Sequence, residues 1–167
     1  SIASLDSMYL RETKKQGLVC PTSKYGDRGE RIKGGFVRES SPGIYDYVIV
    51  LDFKSLYPSI IRTFNIDPYS FDSGAGTDTS TKKGEREEKY ERKGKEERGE
   101  IVAPNKARFF KKTGILPSII QYLWDMRDKA KKKKDKITSN AIKISMNSFY
   151  GSLANPFCRF FNLDIAN

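Results

Sequence analysis

Asp52 is the single acid of the stretch Val50–Phe64, "VLDFKSLYPSIIRTF", where an apolar run ends. Two chemistries suit a carboxylate in that position. It can cap the helix that follows by accepting from first-turn N–H groups. It can also be a hard oxygen ligand for a divalent cation, held still by a strand end beside a helix start that attracts phosphate. Asp52 by itself does not choose between them. Further along, Arg127 and Lys131 are four residues apart and so share a helix face; Lys143, Asn147 and Tyr150 follow at i, i+4 and i+7, again on one face. Two antiparallel helices would turn three cations, an amide and a phenol toward a common space. That suits the clustered negative charge of a nucleoside triphosphate. A solvated basic face is the plainer alternative. It fits Lys132–Lys134 well and Lys143 poorly, because Lys143 lies in the otherwise uncharged run Ile137–Leu153.

The balance of the chain agrees with an anionic partner. Among 167 residues, 31 Lys and Arg oppose 21 Asp and Glu, a formal net charge of +10, which favours nucleic acid or nucleotide phosphates. There is no histidine, which removes histidine bases, Ser-His and Cys-His nucleophiles and most zinc sites. Two unpaired cysteines, Cys20 and Cys158, read as small core residues in a reduced, intracellular compartment. No apolar run approaches the ~20 residues of a membrane span, and nothing resembles a signal peptide. The chain opens on Ser1 rather than Met, and the expectation is a piece of something longer.

The elements that must position these residues follow from periodicity. Ser4–Gly17 reads as a helix, with Leu5, Met8 and Tyr9 near helical spacing and Gly17 as its stop. Cys20–Gly35 reads as a loop. Tyr45–Phe53, rich in Tyr, Val and Ile, predicts a strand buried on both faces. Ser55–Phe64 predicts a helix that tolerates Pro58 in its first turn. Ser73–Glu100 is Gly, Ser, Thr and mixed charge, as expected of a surface insertion. Pro117 then opens a helix with the stripe Ile119, Ile120, Leu123, Met126 and Ala130, and lysines crowd its end. Thr138 or Ser139 would cap a second helix running to about Tyr150, with Gly151 ending it.

Two of these stretches carry a family resemblance. "DFKSLYPSII", from Asp52, resembles motif A of family B DNA polymerases, and "KISMNSFYG", Lys143–Gly151, resembles their motif B. Between them "GILPSIIQYLWDMRDKAK" looks like the first helix of the polymerase fingers, and "GGFVRESSPGIYDYVIVLDF" is similar to the palm strand entering motif A. The compact stretch from Arg127 to Lys143 and the "CRFFN" that follows motif B look most like the bacterial DNA polymerase II branch and its archaeal relatives.

The resemblance implies an α+β fold: part of a palm, with an antiparallel two-helix fingers subdomain. It implies four segments: 1–72 with motif A, the insertion 73–100, a fingers hairpin 101–156 with motif B, and 157–167 returning to the palm. It implies dNMP transfer from a dNTP to a primer 3′-hydroxyl with two Mg²⁺ ions, ligated by Asp52 and by the Phe53 carbonyl. Ser55, Leu56, Tyr57, Arg127, Lys131, Lys143 and Asn147 would bind the dNTP. Lys143 would also help pyrophosphate leave, and Tyr57 would exclude a ribose 2′-hydroxyl. Tyr150 and Gly151 would face the nascent base pair. The implied partners are primer–template DNA and the rest of a polymerase; the implied compartment is the cytoplasm or nucleoid.

A two-ion site needs a second carboxylate. The family carries it in a Tyr-Gly-Asp-Thr-Asp-Ser hairpin, which is not among these 167 residues. "YGDRGE", Tyr25–Glu30, precedes motif A and has one aspartate, so Asp27 reads as a turn residue. The chain alone is therefore expected not to extend a primer. The competing reading is a non-catalytic polymerase-like module that binds DNA or scaffolds a complex.

Overall fold

The computed structural model describes residues 2–22, 35, 37–72 and 100–166. Helix α1 spans Ile2–Lys15 and buries Leu5, Tyr9 and Thr13, one residue per turn on one face. Gly17 ends it at a φ of 69°, where a side chain would be strained. The N–H of Leu18 reaches back to the Thr13 carbonyl at 3.0 Å, the closing bond of a left-handed helix cap. Helix α2, Leu56–Thr63, buries Pro58 and Ile61; Pro58 is its third residue, where no intrahelical N–H bond is lost.

Two short strands, β1 at Glu100–Val102 and β2 at Arg108–Phe110, pair antiparallel with Ile101 opposite Phe109. The turn between them places Lys106 at a φ of 68°. Phe71 bridges to Phe109, and the Phe110 N–H donates to the Ser70 carbonyl at 2.8 Å, tying the segment after α2 to this ribbon.

Helices α3, Ile115–Lys132, and α4, Lys136–Leu153, form the expected antiparallel hairpin; α5, Leu163–Ala166, follows. Phe109, Leu116, Ile120 and Met146 are fully enclosed, with Leu5, Tyr9, Phe149 and Phe160 around them. One core therefore joins α1, the ribbon and the roots of α3 and α4. The fold is α+β and helix-rich.

Four local expectations change. Tyr45–Phe53 is not a strand. Among the described residues nothing lies beside it to complete a hydrogen-bonded ladder, and Tyr47 sits at a φ of 57°, which breaks the extended run. Val50 and Leu51 are consequently 86% and 88% exposed. Asp135, not Thr138 or Ser139, caps α4, accepting from the Thr138 N–H at 3.0 Å. Its side chain reaches the third helical N–H from one position before the helix.

Gly151 does not stop α4, which continues to Leu153; the surroundings of Gly151 are open, so packing imposes no break there. Met126 leaves the buried stripe of α3 and is 37% exposed, while Ile119, Ile120, Leu123 and Ala130 stay buried. The α3 residues that enter the core are Ile115, Leu116, Ile119, Ile120 and Leu123, at its root, and Met126 lies beyond them. The expected insertion, apart from Glu100 in β1, lies outside the described residues, as does Asp27.

Candidate functional site

The Asp52–Thr63 stretch turns sharply before it becomes helical. Ser55, the residue preceding α2, has φ 54° and ψ 62°, and its side chain caps none of the helix N–H groups. Its hydroxyl is engaged elsewhere: Oγ accepts from Arg127 Nη1 at 3.0 Å. The first-turn N–H groups of α2 thus lack a side-chain acceptor, and a guanidinium stands beside them. Both features favour an anion. Arg127 Nε is buried with no hydrogen-bond partner among the described residues. An Arg with a spare donor in a partly enclosed position suits bidentate binding of phosphate oxygens.

One turn into α2, the Tyr57 ring stacks on the Tyr150 ring, with centroids 4.6 Å apart and planes 12° apart. Tyr150 comes from α4 and is held at its far end, its hydroxyl donating to the Ala166 carbonyl at 3.2 Å. Tyr57 remains 46% exposed, so one edge of the stacked pair faces solvent. On the other side of α2, Trp124 of α3 meets two cations, with Lys54 Nζ 5.4 Å and the Arg62 guanidinium 5.1 Å from the ring centre.

Ser55 with Arg127 and Tyr57 with Tyr150 are therefore brought together from residues far apart in the chain. Leu56 is on the same turn and is 42% exposed. Asp52 and Phe53 lie just outside α2, exposed, and neither side chain is held by a hydrogen bond or ion pair among the described residues. Lys131, Lys143, Asn147 and Gly151 are exposed positions on α3 and α4. The side chains of Lys131, Lys143 and Asn147 are likewise unengaged among the described residues. No group of three or more His, Cys, Asp or Glu that could hold a metal ion occurs among the described residues.

Sequence periodicity missed a buried polar cluster just after α2. Asp67 is 0% exposed and Asn65 is 4% exposed. Asp67 Oδ1 accepts from the Tyr9 hydroxyl at 2.7 Å and from the Leu116 N–H at 2.8 Å. Burial raises the Asp67 carboxyl above its ordinary range, while these donors pull it back. Burial, then the charge of Asp67, pushes the Tyr9 phenol far up. The available signal was Asn-Ile-Asp-Pro: two short polar side chains set among apolar neighbours, a pattern that suits local backbone capping.

The family model for DNA polymerase family B matches residues 3–167. DNA polymerase II of Escherichia coli is 37% identical over 168 residues, a match spanning all of this chain and 19% of that protein. A DNA polymerase of Desulfurococcus is 34% identical over 169 residues, spanning 91% of this chain and 19% of its own length. The family B DNA polymerase structure from Pyrobaculum calidifontis superposes with a TM-score of 0.67 at 26% identity, over 99% of this chain and 21% of that one. The chain thus spans about a fifth of the length of these relatives, and it belongs to DNA polymerase family B.

Proposed function

We propose that this chain is the palm–fingers portion of a template-directed DNA polymerase. In this reading it binds an incoming dNTP between α2 and the α3–α4 hairpin, for transfer of dNMP to a primer 3′-hydroxyl. The observation that carries the reading is the Arg127–Ser55 hydrogen bond at 3.0 Å. It joins a phosphate-suited cation on the fingers helix to the uncapped start of the motif A helix. The Tyr57–Tyr150 stack supports it from the other motif pair.

The roles follow from chemistry and position. Arg127, with the first-turn N–H groups after Ser55, would bind triphosphate oxygens. Lys131 and Lys143, exposed on the hairpin, would add charge to the same groups, and Lys143 would protonate or neutralise departing pyrophosphate. Tyr57, Asn147 and Tyr150 would border the sugar and base pair, with Leu56 and Gly151 lending main-chain surface. Primer–template DNA and the remaining parts of a polymerase are the partners of this reading.

The metal chemistry of the family is a Mg²⁺ pair. In this reading the groups of the motif A stretch that would hold an ion are one exposed carboxylate, Asp52, and the Phe53 carbonyl. That donor set does not seat two ions by itself, and a second carboxylate would have to come from outside it.

The test is equilibrium binding of dATP and of deoxyadenosine to the chain. dATP should bind and deoxyadenosine should not. Arg127→Ala should weaken dATP about tenfold or more, the loss of one charge-assisted contact. Equal binding by Arg127→Ala would remove the nucleotide assignment and leave a DNA-binding or scaffolding module as the reading.

A further inference from the structure

Beyond the nucleotide site, buried polar chemistry concentrates where the chain leaves α2. Asn65, Asp67 and Ser70 are 4%, 0% and 4% exposed, and enclosing such groups is costly unless each is paired. Each is. Asn65 sits at a φ of 52°. Its amide donates to the carbonyls of Phe110 and Lys112, and its Oδ1 accepts from the Gly114 N–H at 2.7 Å. Ser70 Oγ donates to the Asn65 carbonyl at 2.6 Å. Asp67 accepts from Tyr9 and Leu116 through Oδ1, and from the Tyr69 N–H through Oδ2 at 3.0 Å. The carboxylate thus lies on the first-turn N–H groups of α3, at the positive end of its dipole. A Cβ at Gly114 would stand 2.6 Å from the Asp67 Cβ, so glycine permits the close approach.

We propose that Asp67, assisted by Asn65, is a positioning residue of the nucleotide site: it fixes the start of α3 against the end of α2 and so sets where Arg127 meets Ser55. This rests on the polymerase reading above. The two ends of α2 each hold α3, but unequally. At the α2 C-terminus the attachment is the buried Asn65–Asp67 cluster, which cannot shift without unpairing several donors. At the α2 N-terminus it is the Arg127–Ser55 bond, which is only partly buried. Leu116 and Arg127 are about 17 Å apart along the helix axis. A tilt of roughly 10° at the fixed end would carry Arg127 about 3 Å, enough to lose its hydrogen bond. The buried end is a stiff pivot, and the accuracy of Arg127 is set there.

The chain's single tryptophan, Trp124, reports this geometry, because it lies on α3 between Lys54 and Arg62. Asp67→Asn keeps the side-chain shape but places an amide N–H₂ among donors; Gly114→Ala forces α3 away from Asp67. In both variants, acrylamide quenching of Trp124 should rise with helical circular dichroism unchanged. Affinity for dATP in EDTA should fall about tenfold. If Asp67→Asn does not fold, Tyr9→Phe, which deletes one donor and keeps the packed ring, carries the same expectation. A lowered Tm with Trp124 quenching and dATP affinity both unchanged would reduce Asp67 to a purely structural residue and overturn the proposal. If the unsubstituted chain binds no dATP, the polymerase reading fails, while Trp124 quenching still decides whether Asp67 positions α3.

Discussion

A guanidinium with Nη1 on Ser55 Oγ and Nε buried without a partner among the described residues holds donor capacity in reserve. Among the described residues no carboxylate pairs with it, whereas Arg159 is paired to Asp6 at 2.8 Å. Arg127 is thus set apart from the other cations by position as well as by charge. Tyr9 is the comparable case on the structural side. Its phenol, ordinarily titrating at 10.0, is held far higher by burial and by the Asp67 carboxylate it donates to. Above that ordinary value the unfolded chain releases this proton and the folded chain keeps it. The stability linked to Tyr9 is therefore intact below pH 10.0 and lost as the pH rises beyond it, at about 1.4 kcal/mol per pH unit. Urea unfolding at increasing alkaline pH should show a shallower decline for Tyr9→Phe than for the unsubstituted chain. Tyr69, also raised by burial, should retain part of the slope.

At the scale of elements, the hairpin of α3 and α4 was legible because two long runs carry apolar residues at helical spacing with lysines at the turn. Its cap was not. Thr138 and Ser139 were the stronger cap residues by type within the patterned run, but Asp135 reaches the Thr138 N–H from outside it. Cap choice depends on where the chain leaves the preceding helix, and here Lys134 turns it at a φ of 60°. Asp135→Ala should lower the Tm by several degrees, about 5 °C, measured by circular dichroism at 222 nm. The Asp135 carboxyl is held below its ordinary 3.8 by the bonds from Thr138. The contribution should thus be full at neutral pH and fade as the pH falls below 3.8. The Tyr45–Phe53 run failed for the complementary reason. Its β-branched composition describes a half of a sheet, and a strand exists only when another backbone lies beside it.

For the whole molecule, the order of motifs in the sequence made the family readable, and the α+β fold followed from it. The Tyr57–Tyr150 and Ser55–Arg127 contacts needed the tertiary arrangement, because they join α2 to helices more than 70 positions away. The Asn65–Asp67 pivot left only the local cue Asn-Ile-Asp-Pro in the sequence: most of its partners are backbone groups between Phe110 and Leu116, and no periodic pattern encodes a side chain pairing with a distant helix start. Asp52 is an exposed carboxylate just before a helix start whose N–H groups lack a side-chain cap. The central claim is that it serves nucleotidyl transfer when the rest of a polymerase surrounds it. The direct measurement replaces the corresponding segment of E. coli DNA polymerase II, 37% identical, by this chain and follows primer extension with all four dNTPs. The chimera should extend the primer, and Asp52→Ala should slow extension about a thousandfold, ~4 kcal/mol of transition-state stabilisation, without changing its Tm. An Asp52→Ala chimera that extends at the unsubstituted rate would contradict the account.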